Sequence, residues 1–237
     1  MRLLLASLQF PLRKNLWQVE VPIEHGEIGT VHVDIGAGKS PRNPFRASRL
    51  IVCDFIPAKF EHSQAQFPSE FVACDLTREL PFDSNSIDSI SAYDVLEHIP
   101  RWERLGDGTV TFPFINLMNE IHRCLKPGGL FLAVTPAFPS PAAFQDPTHV
   151  NLISEATHIY FVGDEPWAEI IGYGFTGRFE EMYVGWLYGF GPYEMNVSSG
   201  QSLGSRATYA RIKILRFLKA LKRRHPTHLL WVLVAQD

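Results

Sequence analysis

Cysteine is scarce: Cys53, Cys74 and Cys124 are the only three in 237 residues, and they are scattered. That number and scatter exclude a disulfide framework. The three read instead as small core residues in a reducing compartment. Long apolar runs are also lacking. The opening "MRLLLASLQF" is too short to span a membrane and has no small-residue cleavage site of the signal-peptide kind. The expectation is a cytoplasmic protein without a transmembrane helix. No internal repeat or low-complexity tract stands out. Charge of one sign is missing too: the net value is −3, so nothing global points to nucleic acid. The local exception is Arg211 to Arg224, with seven Lys or Arg and no acid.

Two nucleotide signatures fail. Dinucleotide binding needs G-x-G-x-x-G followed by a helix that receives a pyrophosphate. Here "VHVDIGAGKSPRNPF" supplies Gly36 and Gly38, then Pro41 where the third glycine belongs, and Pro44 soon after. A P-loop is excluded because Gly38-Lys39-Ser40 lacks the earlier glycine. About twelve residues separate Gly38 from Ile51, close to the minimum for a crossover, and two prolines occupy part of them. A full first helix is not expected. The ligand must use glycines without needing a phosphate-binding helix.

What is present is a series of continuous apolar runs: "TVHVDI", "RLIVCDF", "EFVACDL", "SIDSISAYDV" and "GLFLAVTP". Continuous rather than alternating patterns read as buried parallel strands. Between the last two lies "FINLMNEIHRCLKPGG", whose Ile115, Met118, Ile121 and Leu125 make one apolar face, with Lys126-Pro127-Gly128-Gly129 as its stop. Strand and helix in alternation predict an α/β fold with a mostly parallel twisted sheet. Further helices are expected over Ser154–Val162 and Glu165–Ile171, a strand in "TGRFEEMYVGWLYG" and a closing strand in "HLLWVLVAQD". The length and the 46% apolar content suit one domain with a real core. That core would cover about residues 30–165 plus a strand over 228–236. Residues 189 to 208, rich in Gly and Ser, read as a mobile excursion. The basic segment 211–224 reads as a surface helix with Ile214, Phe217, Leu218 and Leu221 on the core side. A sharper reading is peripheral docking on an anionic membrane.

Three strands end in aspartate: Asp34, Asp54 and Asp75, spaced 20 and 21 residues apart. In an open α/β sheet, ligands bind outside the carboxyl ends of the strands. The three carboxylates should therefore share one rim with Gly36-Ala37-Gly38, whose glycines permit φ > 0 and close ligand approach. An acid at Asp54 can accept from both hydroxyls of a ribose.

At this point the chain resembles the class I S-adenosylmethionine-dependent methyltransferases. "VDIGAGKS", "IVCDF", "ACDLTRELPF", "FDSNSIDSISAYDVLEHIP" and "LMNEIHRCLKPGGLFLAVTP" are similar to five of their motifs, in order. The resemblance implies a Rossmann-like methyltransferase fold with an antiparallel last strand, here with a truncated first helix. It implies S-adenosylmethionine as cofactor, a ligand with a ribose, an adenine and an amino-acid end but no phosphate. Gly36, Ala37 and Gly38 would then approach its methionine portion, with Asp34 orienting that loop. Asp54 would hold the ribose, Asp75 the adenine amino group with Leu76 beside the ring, and Tyr93 would lie against the methionine end.

The acceptor side is less marked. His149, in "QDPTHVN" after the fifth strand, is expected as general base or acceptor-positioning group, with Asp146 orienting its imidazole. A plain loop histidine in a turn begun by Asp146-Pro147 is the competing reading. Asp146 and His149 could instead be metal ligands, but no third ligand is evident nearby, and no metal is expected. The Glu97-His98 pair reads as a structural support of the cofactor loop. Together these features favour a small-molecule or glycan acceptor methylated at a hydroxyl. Protein or RNA methylation, a non-catalytic cofactor-binding module and, more distantly, a dehydrogenase are the alternatives. No Asn-Pro-Pro-Tyr amino-methylating motif follows strand four, and no nucleic-acid partner is expected.

Overall fold

The computed structural model describes residues 5–8, 19–22, 30–38, 41–55, 69–187 and 227–237. The predicted excursion at 189–208 and the basic helix at 211–224 lie outside the described residues, as does most of the chain's first 29 positions.

Seven strands build the main sheet: β1 (Val31–Ile35), β2 (Arg49–Asp54), β3 (Ser69–Ala73), β4 (Ile87–Tyr93), β5 (Leu125–Phe138), β6 (Phe179–Leu187) and β7 (His228–Ala235). Their order across the sheet is β3-β2-β1-β4-β5-β7-β6. Strands β1 to β5 run parallel, while β7 lies antiparallel between β5 and β6. This is the Rossmann-like arrangement with a reversed last strand. The chain order turns back at β1, and the switch point lies between β1 and β4. Ile153–Ser154 adds a short parallel pairing on β5 at Ala137 and Phe138.

The apolar periodicity explains the layers. Val33 and Ile35 of β1, Ile90 and Ala92 of β4, and Phe131 and Ala133 of β5 face the larger core. Helix α1 (Pro113–Cys124) covers that face. Pro113 starts it where a missing N–H costs nothing, and Phe114, Ile115, Leu117, Met118, Ile121 and Cys124 are buried. The helix passes straight into β5, so Lys126 to Gly129 lie within the strand rather than in a separate stop.

The opposite face has a different composition. His32, Asp34, Ser89 and Ser91 are buried there beside the apolar group of Phe45, Tyr93, Leu132, Val134, Leu230 and Val232. Among the described residues between β1 and β2 none is helical. Phe45, 1% exposed, packs edge-on to His32 at 5.7 Å, so the Pro-rich loop supplies an apolar plug from its own side chain.

Three expectations are corrected. Cys53 and Cys74 are joined as a disulfide, and Cys124 alone is a free, buried thiol. The register explains it: Asp54 pairs with Ala73 across β2 and β3, which brings the two Cα atoms to 5.8 Å, inside the bonding range. A separation of 21 residues in sequence concealed that adjacency, and the bond removes the argument for a reducing compartment. The helix expected over 154–162 is a single 3₁₀ turn, Thr157–Tyr160, and that over 165–171 is one turn, Trp167–Ile170. Gly172, at positive φ, follows the second turn, and its N–H bonds back to the Glu169 carbonyl. Among the described residues no helix is long and apolar enough to cross a membrane.

Candidate functional site

The carboxyl ends of β1 and β2 meet at the glycine turn. The Gly36 N–H donates to the Cys53 carbonyl at 2.7 Å, and the Gly38 N–H to Asp54 Oδ2 at 2.9 Å. Both glycines sit at positive φ, +64° and +57°. Their side spaces differ. A Cβ on Gly36 would stand 2.3 Å from Val95 Cγ2, whereas none of the described residues lies within 4 Å of one on Gly38. Gly36 is therefore fixed by packing, and Gly38 has its N–H held by a carboxylate. Gly36→Ala should lower stability by about 2–5 kcal/mol through overpacking and backbone strain. Gly38→Ala should cost only about 1–2 kcal/mol, for the conformation alone. Paired thermal melts check this, and equal losses would contradict the packing argument.

Asp34 is 1% exposed and tied down at both oxygens. Ser91 Oγ donates to Oδ1 at 2.6 Å, and the Arg42 N–H to Oδ2 at 2.7 Å. The second bond anchors the Pro-rich loop at Arg42. Burial pushes the Asp34 carboxyl up to about 7 despite those two donors. Asp54 ends β2, and its carbonyl accepts from the Cys74 N–H. The disulfide joins the residues that precede Asp54 and Asp75. Asp75 is exposed. Its Oδ1 accepts from both Thr77 Oγ1 and Thr77 N–H, and these bonds hold the carboxyl below the usual range. Leu76 packs, half buried, against the core. Tyr93 is buried under the Arg42 guanidinium, 4.1 Å from the ring centroid.

The acceptor residues are assembled differently from expectation. Asp146 does not orient His149: its Oδ1 accepts from Thr148 Oγ1 and N–H. His149 bonds through Nδ1 to the Ala143 carbonyl at 3.2 Å. Its Nε2 faces Glu97 Oε1 at 3.9 Å. Glu97, 1% exposed, lies on the 3₁₀ turn Leu96–His98 after β4. Its Oε2 accepts from Thr135 Oγ1, while Oε1 has no hydrogen-bond partner among the described residues. Burial pushes this carboxyl up to about 8, with the negative charges of Asp94 and Asp146 adding to the rise. The Glu97 carbonyl accepts from the N–H groups of Val150 and Asn151, which straps the His149 loop to the turn. Sequence reading placed Glu97 and His98 in a supporting role only. The signal was there, a Glu-His pair at a strand end, but its partner lay 50 residues away.

A separate crevice lined by Val31, Arg49, Glu70, Phe82 and Asp83 opens at the amino ends of the strands. It contains none of the residues above, and the carboxyl-end rim holds the convergent polar groups.

Residues 33–133 match the family model described as a methyltransferase domain. A probable S-adenosylmethionine-dependent methyltransferase of Mycolicibacterium smegmatis is 30% identical over 90 residues, 38% of this chain and 30% of that protein. The chain thus matches under a third of that relative's length. Among solved structures, an S-adenosylmethionine-dependent methyltransferase from Mesorhizobium loti is 15% identical, with a TM-score of 0.49 over 89% of this chain and 93% of its own. A putative methyltransferase of Haloferax volcanii, in complex with the Trm112 activator, is 17% identical with a TM-score of 0.49 over 92% and 85%.

Proposed function

We propose that the methyltransferase domain matched over residues 33–133 is a working enzyme that transfers a methyl group from S-adenosylmethionine to a hydroxyl of a small-molecule or glycan acceptor. The observation that carries the reading is the Gly38–Asp54 hydrogen bond at the carboxyl-end rim, with no described residue within 4 Å of a Cβ on Gly38. A ligand without phosphate fits a glycine turn that no helix follows. Asp54 would hold the ribose hydroxyls. Both Thr77 bonds fall on Asp75 Oδ1, which leaves Oδ2 for the adenine amino group. The Gly36–Gly38 backbone would border the methionine portion, and Arg42, lying across Tyr93, brings a guanidinium to that end.

When bound, S-adenosylmethionine would supply an electrophilic methyl group on its sulfonium. The chain's own task is alignment, which can contribute about 7–11 kcal/mol, and removal of the hydroxyl proton. His149 is the acceptor-facing group in this reading, held by Ala143 with Nε2 turned inward. Phe138 and Phe144 stand 55% and 54% exposed near the same loop and meet edge to face. Aromatic faces of this kind suit the apolar face of a sugar ring.

Titration calorimetry with S-adenosylmethionine and S-adenosylhomocysteine tests the cofactor half. Saturable binding of both is expected, and none of either would reject it. Methyl-labelled cofactor with candidate glycans and metabolites tests the acceptor half: transfer only to protein or RNA would overturn it.

A further inference from the structure

We propose that Glu97, His98 and His149 form a binding site for a first-row divalent cation of the Mn²⁺ or Zn²⁺ kind, and that the acceptor hydroxyl meets His149 through this ion. The acceptor clause rests on the function proposed above; the ion site does not.

The geometry points to it in three ways. One ligand atom from each of the three residues lies within 4.8 Å of those of the others. The 3.9 Å between Glu97 Oε1 and His149 Nε2 is too long for a hydrogen bond. Two donors at about 2.1 Å from a tetrahedral ion stand about 3.4 Å apart, so a bound ion would draw these side chains together by about half an ångström.

Next, Glu97 Oε1 is a buried oxygen with no hydrogen-bond partner among the described residues, on a side chain only 2% exposed. Its other oxygen is fixed by Thr135, so Oε1 is held in place toward His149 rather than free to turn away. A carboxylate oxygen buried without a donor is costly, and a cation there would supply the missing partner.

Finally, the tautomers converge. His149 Nδ1 donates to the Ala143 carbonyl, which leaves Nε2 with a lone pair. The Thr148 hydroxyl gives its proton to Asp146, so His98 Nδ1 must be the donor toward Thr148 Oγ1 at 3.0 Å. His98 Nε2 is then unprotonated as well. Metal-ligating histidines characteristically spend their second nitrogen in this manner, on a carbonyl or other oxygen that fixes ring orientation. The Asp146-Thr148 turn thus acts at one remove, by fixing His98.

The donor set selects the ion. Two imidazoles and one carboxylate favour Mn²⁺, Co²⁺ or Zn²⁺ over the all-oxygen demands of Ca²⁺ or Mg²⁺. Three protein ligands leave coordination positions open. His98 is partly exposed, while the side chains of Glu97 and His149 are buried. An acceptor oxygen bound at an open position would be polarised and its proton made easier to lose.

Purified protein, stripped with chelator, should be titrated with MnCl₂ or ZnCl₂ alone by calorimetry, with the Mn²⁺ electron paramagnetic resonance signal followed in parallel. One saturable ion per chain is expected. Glu97→Gln keeps the side-chain shape and the Thr135 contact, and should weaken binding by more than about tenfold; His149→Gln should do the same. Neither should alter affinity for S-adenosylhomocysteine appreciably. No saturable binding by the wild type overturns the site, and so does affinity unchanged in both variants. Ion binding without cofactor binding would keep the site and reject the methyl-transfer reading. Cofactor binding without ion binding would do the reverse.

Discussion

Asp54→Ala should weaken binding of S-adenosylhomocysteine by about 10²–10⁴-fold while leaving the protein folded. The carboxylate is 7% exposed at the end of β2 and already accepts the Gly38 N–H through Oδ2. In the proposed complex it also accepts from two ribose hydroxyls. A hydrogen bond to a charged group contributes roughly 1.5–3 kcal/mol, so losing two gives about 3–6 kcal/mol. At 1.4 kcal/mol per tenfold this is the stated range. Loss of the Gly38 anchor adds to it, because that N–H would have to find water. Asp54→Asn retains an acceptor and should fall in between. Asp75→Ala removes one contact from an exposed carboxylate and should cost only about tenfold. The order Asp54→Ala, Asp54→Asn, Asp75→Ala is the diagnostic feature in calorimetry. An Asp54→Ala protein that binds within threefold of wild type would mean that this rim does not hold a ribose.

Much of this rim could be read in the sequence because its determinants are local. Continuous apolar runs ended by Asp34, Asp54 and Asp75 mark the carboxyl ends of β1 and β2 and the turn after β3, and the sheet order brings them together. The missing helix after β1 followed from Pro41 and Pro44. What could not be read depends on pairing across the sheet or between loops. The Cys53–Cys74 bond needs the β2–β3 register. Asp146 stood three residues from His149 and looked like its partner, yet the turn spends that carboxylate on Thr148. The residue facing His149 is Glu97, reached only through the strap of Val150 and Asn151. His32 carried no signal at all: one polar residue in "TVHVDI" gives no hint of its neighbours. The structure buries it completely, with Nδ1 2.8 Å from Ser89 Oγ and Nε2 2.9 Å from Ser91 Oγ.

That histidine and Asp34 should give the fold two opposed pH dependences, which single substitutions separate. They form one buried chain: Ser89, His32, Ser91, Asp34. With the carboxylate charged, each hydroxyl and ring N–H donates toward Asp34; with it protonated, every bond can reverse and still be made. Burial lowers His32 from 6.5 to about 3. Its contribution to stability is present above pH 6.5 and is lost as pH falls toward 3. Burial raises Asp34 from 3.8 to about 7. Its contribution is present below pH 3.8 and is lost as pH rises toward 7. Arg42, whose N–H and charge both favour the ionised form, limits that rise, and Tyr93 stays a neutral phenol because burial and Asp34 push its own pKa up. Between about pH 4 and 6.5 the unfolded chain gains one proton at His32 relative to the native state and lacks one at Asp34. The two slopes, each up to about 1.4 kcal/mol per pH unit, nearly cancel. His32→Gln should therefore lose stability relative to wild type as pH climbs through this window, and Asp34→Asn should gain it. Ser91→Ala breaks the chain in the middle and should cost about 2–5 kcal/mol at any pH in the range, since it strands both buried neighbours. Urea melts of the four proteins at intervals from pH 4.5 to 6.5 decide the matter, because differences from wild type remove every other titrating group. Variant curves that run parallel to wild type would show that His32 and Asp34 do not hold their protons as the buried chain requires.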